Sequence, residues 1–178
     1  MTGFICEIAL IFFDDRMYII ESISQSKLAN YLKEKGQNFL FETGQETPFT
    51  LARAIEDIGL DNLGVNLDPA NLVMVTGDDP VKAVHNLKKY IVHTHAKDGK
   101  QIFYLDPEVV YGINKDVIVT DDSFIEVPLG EGSVPFKEYL NALTDIGYKG
   151  FLTIEREVGD NPEADIRAAV EFLEALKK

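Results

Sequence analysis

Apolar residues along this chain gather into short runs, separated by longer stretches in which they recur every three or four positions. Asn38 to Glu42, Leu63 to Leu67, Ile91 to His95 and Gly150 to Ile154 are such runs, and each suits a strand buried on both faces. Between them, Pro48 to Ile58, about Asp79 to Tyr90, Pro135 to Ile146 and Glu163 to Leu176 carry helical spacing. Met17, Ile20, Ile23, Leu28, Tyr31 and Leu32 predict a further helix from Asp15 to Lys35, stopped by Gly36. Phe4 to Phe13 reads as an opening buried strand. Strands alternating with helices imply parallel pairing through right-handed crossovers, so the pattern predicts an α/β chain of about five β/α units.

Residues 99–134 break this rhythm. They hold Tyr104, Tyr111, Phe124, a Val117-Ile118-Val119 run and the turn-rich Gly130-Glu131-Gly132. Two readings stand side by side: a surface excursion with a small hairpin, or a substrate loop or lid placed after a barrel strand. Either way the chain, residues 1–178, is expected to be one domain with an irregular insert.

Composition narrows the function classes. With 46% hydrophobic and 26% charged residues the chain has material for a core. Seventeen basic against thirty acidic residues give a net charge of −13, which repels a phosphodiester backbone, so nucleic acid is not an expected partner. The Phe4 to Phe13 run is too short to span a bilayer, is interrupted by Glu7 and is followed by Asp14 and Asp15, so no membrane span is expected. A single cysteine, Cys6, cannot form an internal disulfide and fits a reducing cytoplasm.

The chemistry lies at the ends of the apolar runs. Glu42, Asp68, His95 and Glu155 each stand at or just beyond one, in four different β/α units. A parallel β/α barrel gathers its active site from such strand ends, and carboxylates mixed with imidazole suit a divalent cation. Taken singly, each carboxylate is as well explained as a helix cap or an ion-pair partner. His93 and His95, two apart on one strand, share a face, so His93 belongs to the same pocket or is a hydrogen-bonded core histidine. His85, beside Lys88 and Lys89, reads as surface. Glu46, Glu131 and Glu157 read as caps or solvated charges.

Five motifs, in order, carry a resemblance: Glu42-Thr43-Gly44-Gln45-Glu46-Thr47, Gly64 to Leu72 (GVNLDPANL), His93-Thr94-His95-Ala96-Lys97-Asp98, Pro128 to Gly132 (PLGEG) and Thr153-Ile154-Glu155-Arg156-Glu157. From about residue 16 onward the chain resembles the sugar phosphate isomerase/epimerase family, whose fold is the xylose-isomerase-like TIM barrel. The resemblance implies a metal site of Glu42, Asp68, His95 and Glu155, holding Mn²⁺ first, with Co²⁺, Mg²⁺ or Zn²⁺ as alternatives. It implies that Glu42 and Glu155 are catalytic, one removing and the other returning a proton on a metal-bound hydroxyketone. The substrate is then a small sugar, sugar phosphate or polyol derivative. His93, Gln45, Asn71, Lys97, Asp98 and Arg156 are the expected substrate-binding or supporting residues.

A full barrel of this kind needs about 250 residues and rarely fewer than about 200. The chain therefore reads as a partial barrel corresponding to strands 4 to 8, without the first three β/α units. Open sheet edges invite association, so a homodimer is expected. A second function class follows: a catalytically silent truncated barrel serving as an oligomerising or metal-binding module. A third, the related apurinic-site endonucleases, needs more histidines than three and a basic groove, and the net charge of −13 opposes it.

Overall fold

The structure is a computed structural model that describes residues 6–7, 26–156 and 158–176. Its centre is a parallel sheet of five strands: β1 (Cys6–Glu7), β2 (Phe39–Glu42), β3 (Leu63–Leu67), β4 (Ile91–Ala96) and β7 (Leu152–Ile154), in that spatial order. A separate antiparallel pair, β5 (Asp98–Gln101) and β6 (Phe124–Val127), lies in sequence between β4 and β7. The helices are α1 (26–34), α2 (Pro48–Ile58), α3 (Pro69–Asn71), α4 (Pro80–Leu87), α5 (Pro107–Val110), α6 (Phe136–Asp145) and α7 (Pro162–Leu176). A five-residue π-helix, Leu72–Thr76, continues α3.

One local device starts most of these helices. Thr47, Asp68, Asp79 and Asp106 each precede a proline, and each accepts a hydrogen bond from a backbone N–H of the following turn. Proline at the first helical position is preset in φ and has no N–H to leave unpaired. The short α3 thus begins directly on β3, with Asp68 as the hinge between them.

Register decides which side chains meet. Glu42 pairs with Asn66, Asn66 with His93, and His95 with Thr153. Paired residues share a face and residues two apart share a face, so Glu42, Asn66, His93, His95 and Thr153 all project from one side of the sheet. The other side carries Phe39, Phe41, Val65, Leu67 and Ala96, which pack with Leu51, Ile55, Val84, Leu87, Tyr139 and Leu143 of the helices. The sheet therefore has a helix-covered apolar face and a chemical face.

The expected elements correspond closely to these, with α2 and β3 matching residue for residue. Of the opening strand only Cys6–Glu7 is described, and the helix expected over residues 15–35 is described from 26 onward; the remainder of both lies outside the described residues. The hairpin expected within residues 99–134 is β5 and β6. Val117-Ile118-Val119 is not one of its strands: Ile118 is 91% exposed, and these residues lie in the long connection between the two.

The insert is tied down by Asp98, which is 1% exposed. Its Oδ1 accepts from Gly99 N at 2.9 Å and Val134 N at 3.1 Å, and its Oδ2 from Gly130 N at 3.0 Å and Gly132 N at 2.9 Å. A Cβ at Gly132 would fall inside this carboxylate, which is why the loop needs glycine there. The H-x-K-D and P-L-G-E-G motifs are thus two halves of one contact.

Candidate functional site

Glu42 is the last residue of β2, Asp68 directly follows β3, His95 is the penultimate residue of β4, and Glu155 directly follows β7. One ligand atom from each lies within 4.8 Å of the other three. His95 Nδ1 faces all the carboxylates, 3.6 Å from Glu42 Oε1, 3.3 Å from Asp68 Oδ2 and 3.2 Å from Glu155 Oε2.

Each group is held from behind. Asp68, fully buried, divides its oxygens: Oδ1 accepts from Ala70 N at 2.8 Å and Asn71 N at 3.0 Å, capping α3, which leaves Oδ2 turned toward His95. The Thr43 hydroxyl donates to the Asp68 carbonyl and accepts from the Asp68 N–H, both at 2.8 Å, fixing the strand end. Asn71 Nδ2 donates to Glu42 Oε1 at 3.0 Å. Lys97, only 4% exposed, donates to Glu155 Oε2 at 3.0 Å and lies 3.7 Å from Glu126 Oε2 and 3.9 Å from Asp68 Oδ2. The side-chain amide of Asn66 lies 3.0 Å from His95 Nε2, on the ring edge opposite the carboxylates.

These contacts set the proton affinities. Burial disfavours a charged imidazole, yet the hydrogen bonds and charges of Asp68 and Glu155 together outweigh it and push His95 up to about 10. The hydrogen bond from His95, helped by the charges of His95 and Lys97 and opposed by burial, holds Glu155 well below the usual carboxylate range. Burial, with the charges of Glu42, Glu46 and Asp68, pushes the Tyr111 phenol up to about 12. The insert therefore delivers an aromatic hydroxyl into the field of the cluster.

The donor set fits a divalent cation. Ligands about 2.0–2.2 Å from a metal stand roughly 3 Å from their neighbours and about 4.3 Å from the ligand opposite, close to the separations found. Three carboxylates against Lys97, with His95 neutral, leave a charge of −2, which a divalent ion cancels. Without the ion, protonated His95 and Lys97 together still leave the three carboxylates one positive charge short.

The other expected residues fall into three groups. Asn71 and Lys97 touch the cluster directly. His93 stands edge-on to His95 with ring centroids 5.9 Å apart, and its Nε2 is 2.8 Å from Thr153 Oγ1. Gln45 is buried just beyond Glu42. Asp98 and Arg156 are turned elsewhere: Asp98 to the loop amides, and Arg156 to Glu126 Oε1 at 2.7 Å and Asp165 Oδ2 at 2.8 Å. Glu126 thereby joins Arg156 to Lys97 and the cluster. Glu46 is neither a cap nor solvated, contrary to the expectation from sequence: it is 7% exposed. Glu131 is exposed, and Glu157 lies outside the described residues. Asn66, Thr43, Tyr111 and Glu126 were not among the expected site residues. Asn66 had a signal, since it stands two residues before Asp68 on the same strand face.

The xylose isomerase-like TIM barrel family matches residues 14–176. The chain belongs to it. The Bacillus subtilis (strain 168) protein YfiH, itself uncharacterized, is 34% identical over 134 residues, spanning 72% of this chain and 41% of YfiH. The crystal structure of a xylose isomerase domain protein from Planctomyces limnophilus superposes with a TM-score of 0.79 and 30% identity over 98% of this chain and 58% of its own length. A D-tagatose 3-epimerase-like protein shares the fold at 19% identity, with a TM-score of 0.70, over 97% of this chain and 61% of its own. The chain thus spans less than two thirds of the length of these proteins, and its five parallel strands form a partial barrel of their type.

Proposed function

We propose that the protein is a metal-dependent isomerase or epimerase that moves a proton at a carbon next to the carbonyl of a small sugar, sugar phosphate or polyol derivative. The observation that carries this reading is the convergence of Glu42, Asp68, His95 and Glu155 within 4.8 Å, with the charge deficit that His95 and Lys97 leave between them. The fold it shares with a D-tagatose 3-epimerase-like protein supports the same reaction class.

The four groups would hold the ion, with Mn²⁺ our first choice. When bound, it stabilises the negative charge that develops on substrate oxygen as the neighbouring carbon loses its proton. Glu42 and Glu155 arrive from β2 and β7, on opposite sides of His95, and divide the roles of proton acceptor and proton donor. Asn71 fixes the direction of Glu42, while His95 and Lys97 keep Glu155 ionised, which suits Glu155 to accept the proton and Glu42 to return it. Tyr111 borders the same space and is suited to a substrate hydroxyl.

The test is solvent exchange. With Mn²⁺ or Co²⁺ present in D₂O, ketoses are expected to gain deuterium beside the carbonyl, and Glu42→Gln or Glu155→Gln to stop this. Calorimetric metal binding with no exchange on any ketose would instead favour a silent, metal-binding partial barrel. One observation speaks for that second reading: the Glu155 side chain is 28% exposed, against 0% for Asp68, so the site is open toward β7.

That open side also motivates a dimer. Among the described residues β7 has a single sheet neighbour, and Phe151 at its start is 80% exposed. A second copy covering this edge predicts a dimer by light scattering at micromolar concentration; a compact monomer would count against it. No helix among the described residues is long and apolar enough to cross a membrane, and we place the reaction in the cytoplasm.

A further inference from the structure

We propose that Asn66 is a positioning residue that selects which ring nitrogen of His95 meets the cation. The inference rests on the cation reading above and adds the residue that imposes it. Asn66 is fully buried, projects from the chemical face of β3 and brings its side-chain amide to 3.0 Å from His95 Nε2. The opposite ring nitrogen, Nδ1, faces Glu42, Asp68 and Glu155 at 3.2–3.6 Å.

A neutral imidazole carries one hydrogen, and a nitrogen that carries it has no lone pair for a metal. Nδ1 is the nitrogen aimed at the carboxylates, so the metal-binding tautomer has its hydrogen on Nε2. That N–H points into a buried region where an acceptor is required. The Asn66 amide supplies one: a half-turn about its terminal torsion presents Oδ1, in place of Nδ2, at the same position. With Oδ1 toward Nε2, the ring is locked in orientation and in tautomer, with its lone pair on the cluster side. A leucine of similar size would fill the space but accept nothing. An aspartate would accept through either oxygen.

Two measurements decide this. In wild-type protein loaded with diamagnetic Zn²⁺, ¹⁵N–¹H NMR of the histidine side chains is expected to find the His95 hydrogen on Nε2, slowly exchanging. Calorimetry with Mn²⁺ is expected to show 10- to 100-fold weaker binding for Asn66→Leu, the range for loss of a residue that orients a metal ligand. Binding should return with Asn66→Asp. A His95 hydrogen on Nδ1 in the loaded wild type overturns the proposal, and this reading needs no variant to fold. Wild-type affinity in a folded Asn66→Leu variant overturns it too, while leaving the cation reading intact. Failure of the wild type itself to bind Mn²⁺ or Zn²⁺ removes the cation reading and this inference with it.

Discussion

The substitution Asp68→Asn is expected to abolish tight metal binding while leaving the fold intact, whereas Asp68→Ala is expected to damage both. The reason is the division of labour between the two carboxylate oxygens. Oδ1 serves α3, accepting from Ala70 N and Asn71 N, and an asparagine oxygen can keep both contacts. Oδ2 is the atom turned to His95 Nδ1 at 3.3 Å, and in the Asp68→Asn variant that position becomes an NH₂ facing the cation. Loss of residues that merely orient a ligand costs 10- to 100-fold in affinity, so loss of this ligand is expected to cost about 100-fold or more. Alanine loses the ligand and also strands two N–H groups, that of Ala70 buried and that of Asn71 part-buried, adding destabilisation of about 1–3 kcal/mol to the metal-free protein. Calorimetric titration with Mn²⁺, beside urea unfolding of both metal-free variants, separates the two roles. An Asp68→Asn variant that binds Mn²⁺ as tightly as the wild type would remove Asp68 from the ligand set.

That dual role explains why the sequence was only partly readable. The Asp-Pro pair at 68–69 is a helix start like those at 79–80 and 106–107, and nothing local distinguishes it from them. What sets it apart is register: β3 lies between β2 and β4, so its end falls beside Glu42 and His95. Alternation of periodicity was enough to foresee the parallel sheet, and strand-end position enough to foresee the four converging groups. Contacts made away from the strand ends were not foreseeable in this way. Asp98 follows the H-x-K stretch as a ligand-supporting residue would, yet three of its four amide partners are more than thirty residues away. Arg156 follows Glu155, but strand geometry turns consecutive side chains apart, and it reaches Glu126 and Asp165. The π-helix after α3 leaves no period in five residues; the Gln101 amide, which donates to the Met74 and Val75 carbonyls at 3.1 Å, helps to satisfy it from a different element.

Glu46 is the residue whose sequence reading differs most from its environment, and it makes the protein's stability depend on pH. Four residues past Glu42 in a polar stretch, it looks like a cap, but the chain folds it inward and its Oε2 meets no hydrogen-bond partner among the described residues. Burial, only slightly offset by a backbone hydrogen bond, raises its pKa from 4.5 to about 8. In the unfolded chain the group ionises near pH 4.5; in the folded protein it keeps its proton until about pH 8. Below pH 4.5 both states are protonated and its contribution to stability is fully present. As pH rises from there the unfolded state gains by releasing the proton, so stability falls at up to about 1.4 kcal/mol per pH unit, and the loss is complete once pH passes about 8. Glu46→Gln keeps the shape without the proton. The difference in unfolding free energy between the metal-free wild type and this variant is therefore expected to shift toward the variant by as much as about 5 kcal/mol between pH 4.5 and 8, and to stay level above that. Chemical denaturation at intervals across this range measures it, and the other titrating groups cancel in the difference. A difference that does not change with pH would mean that Glu46 is ionised in the folded protein, in contact with water.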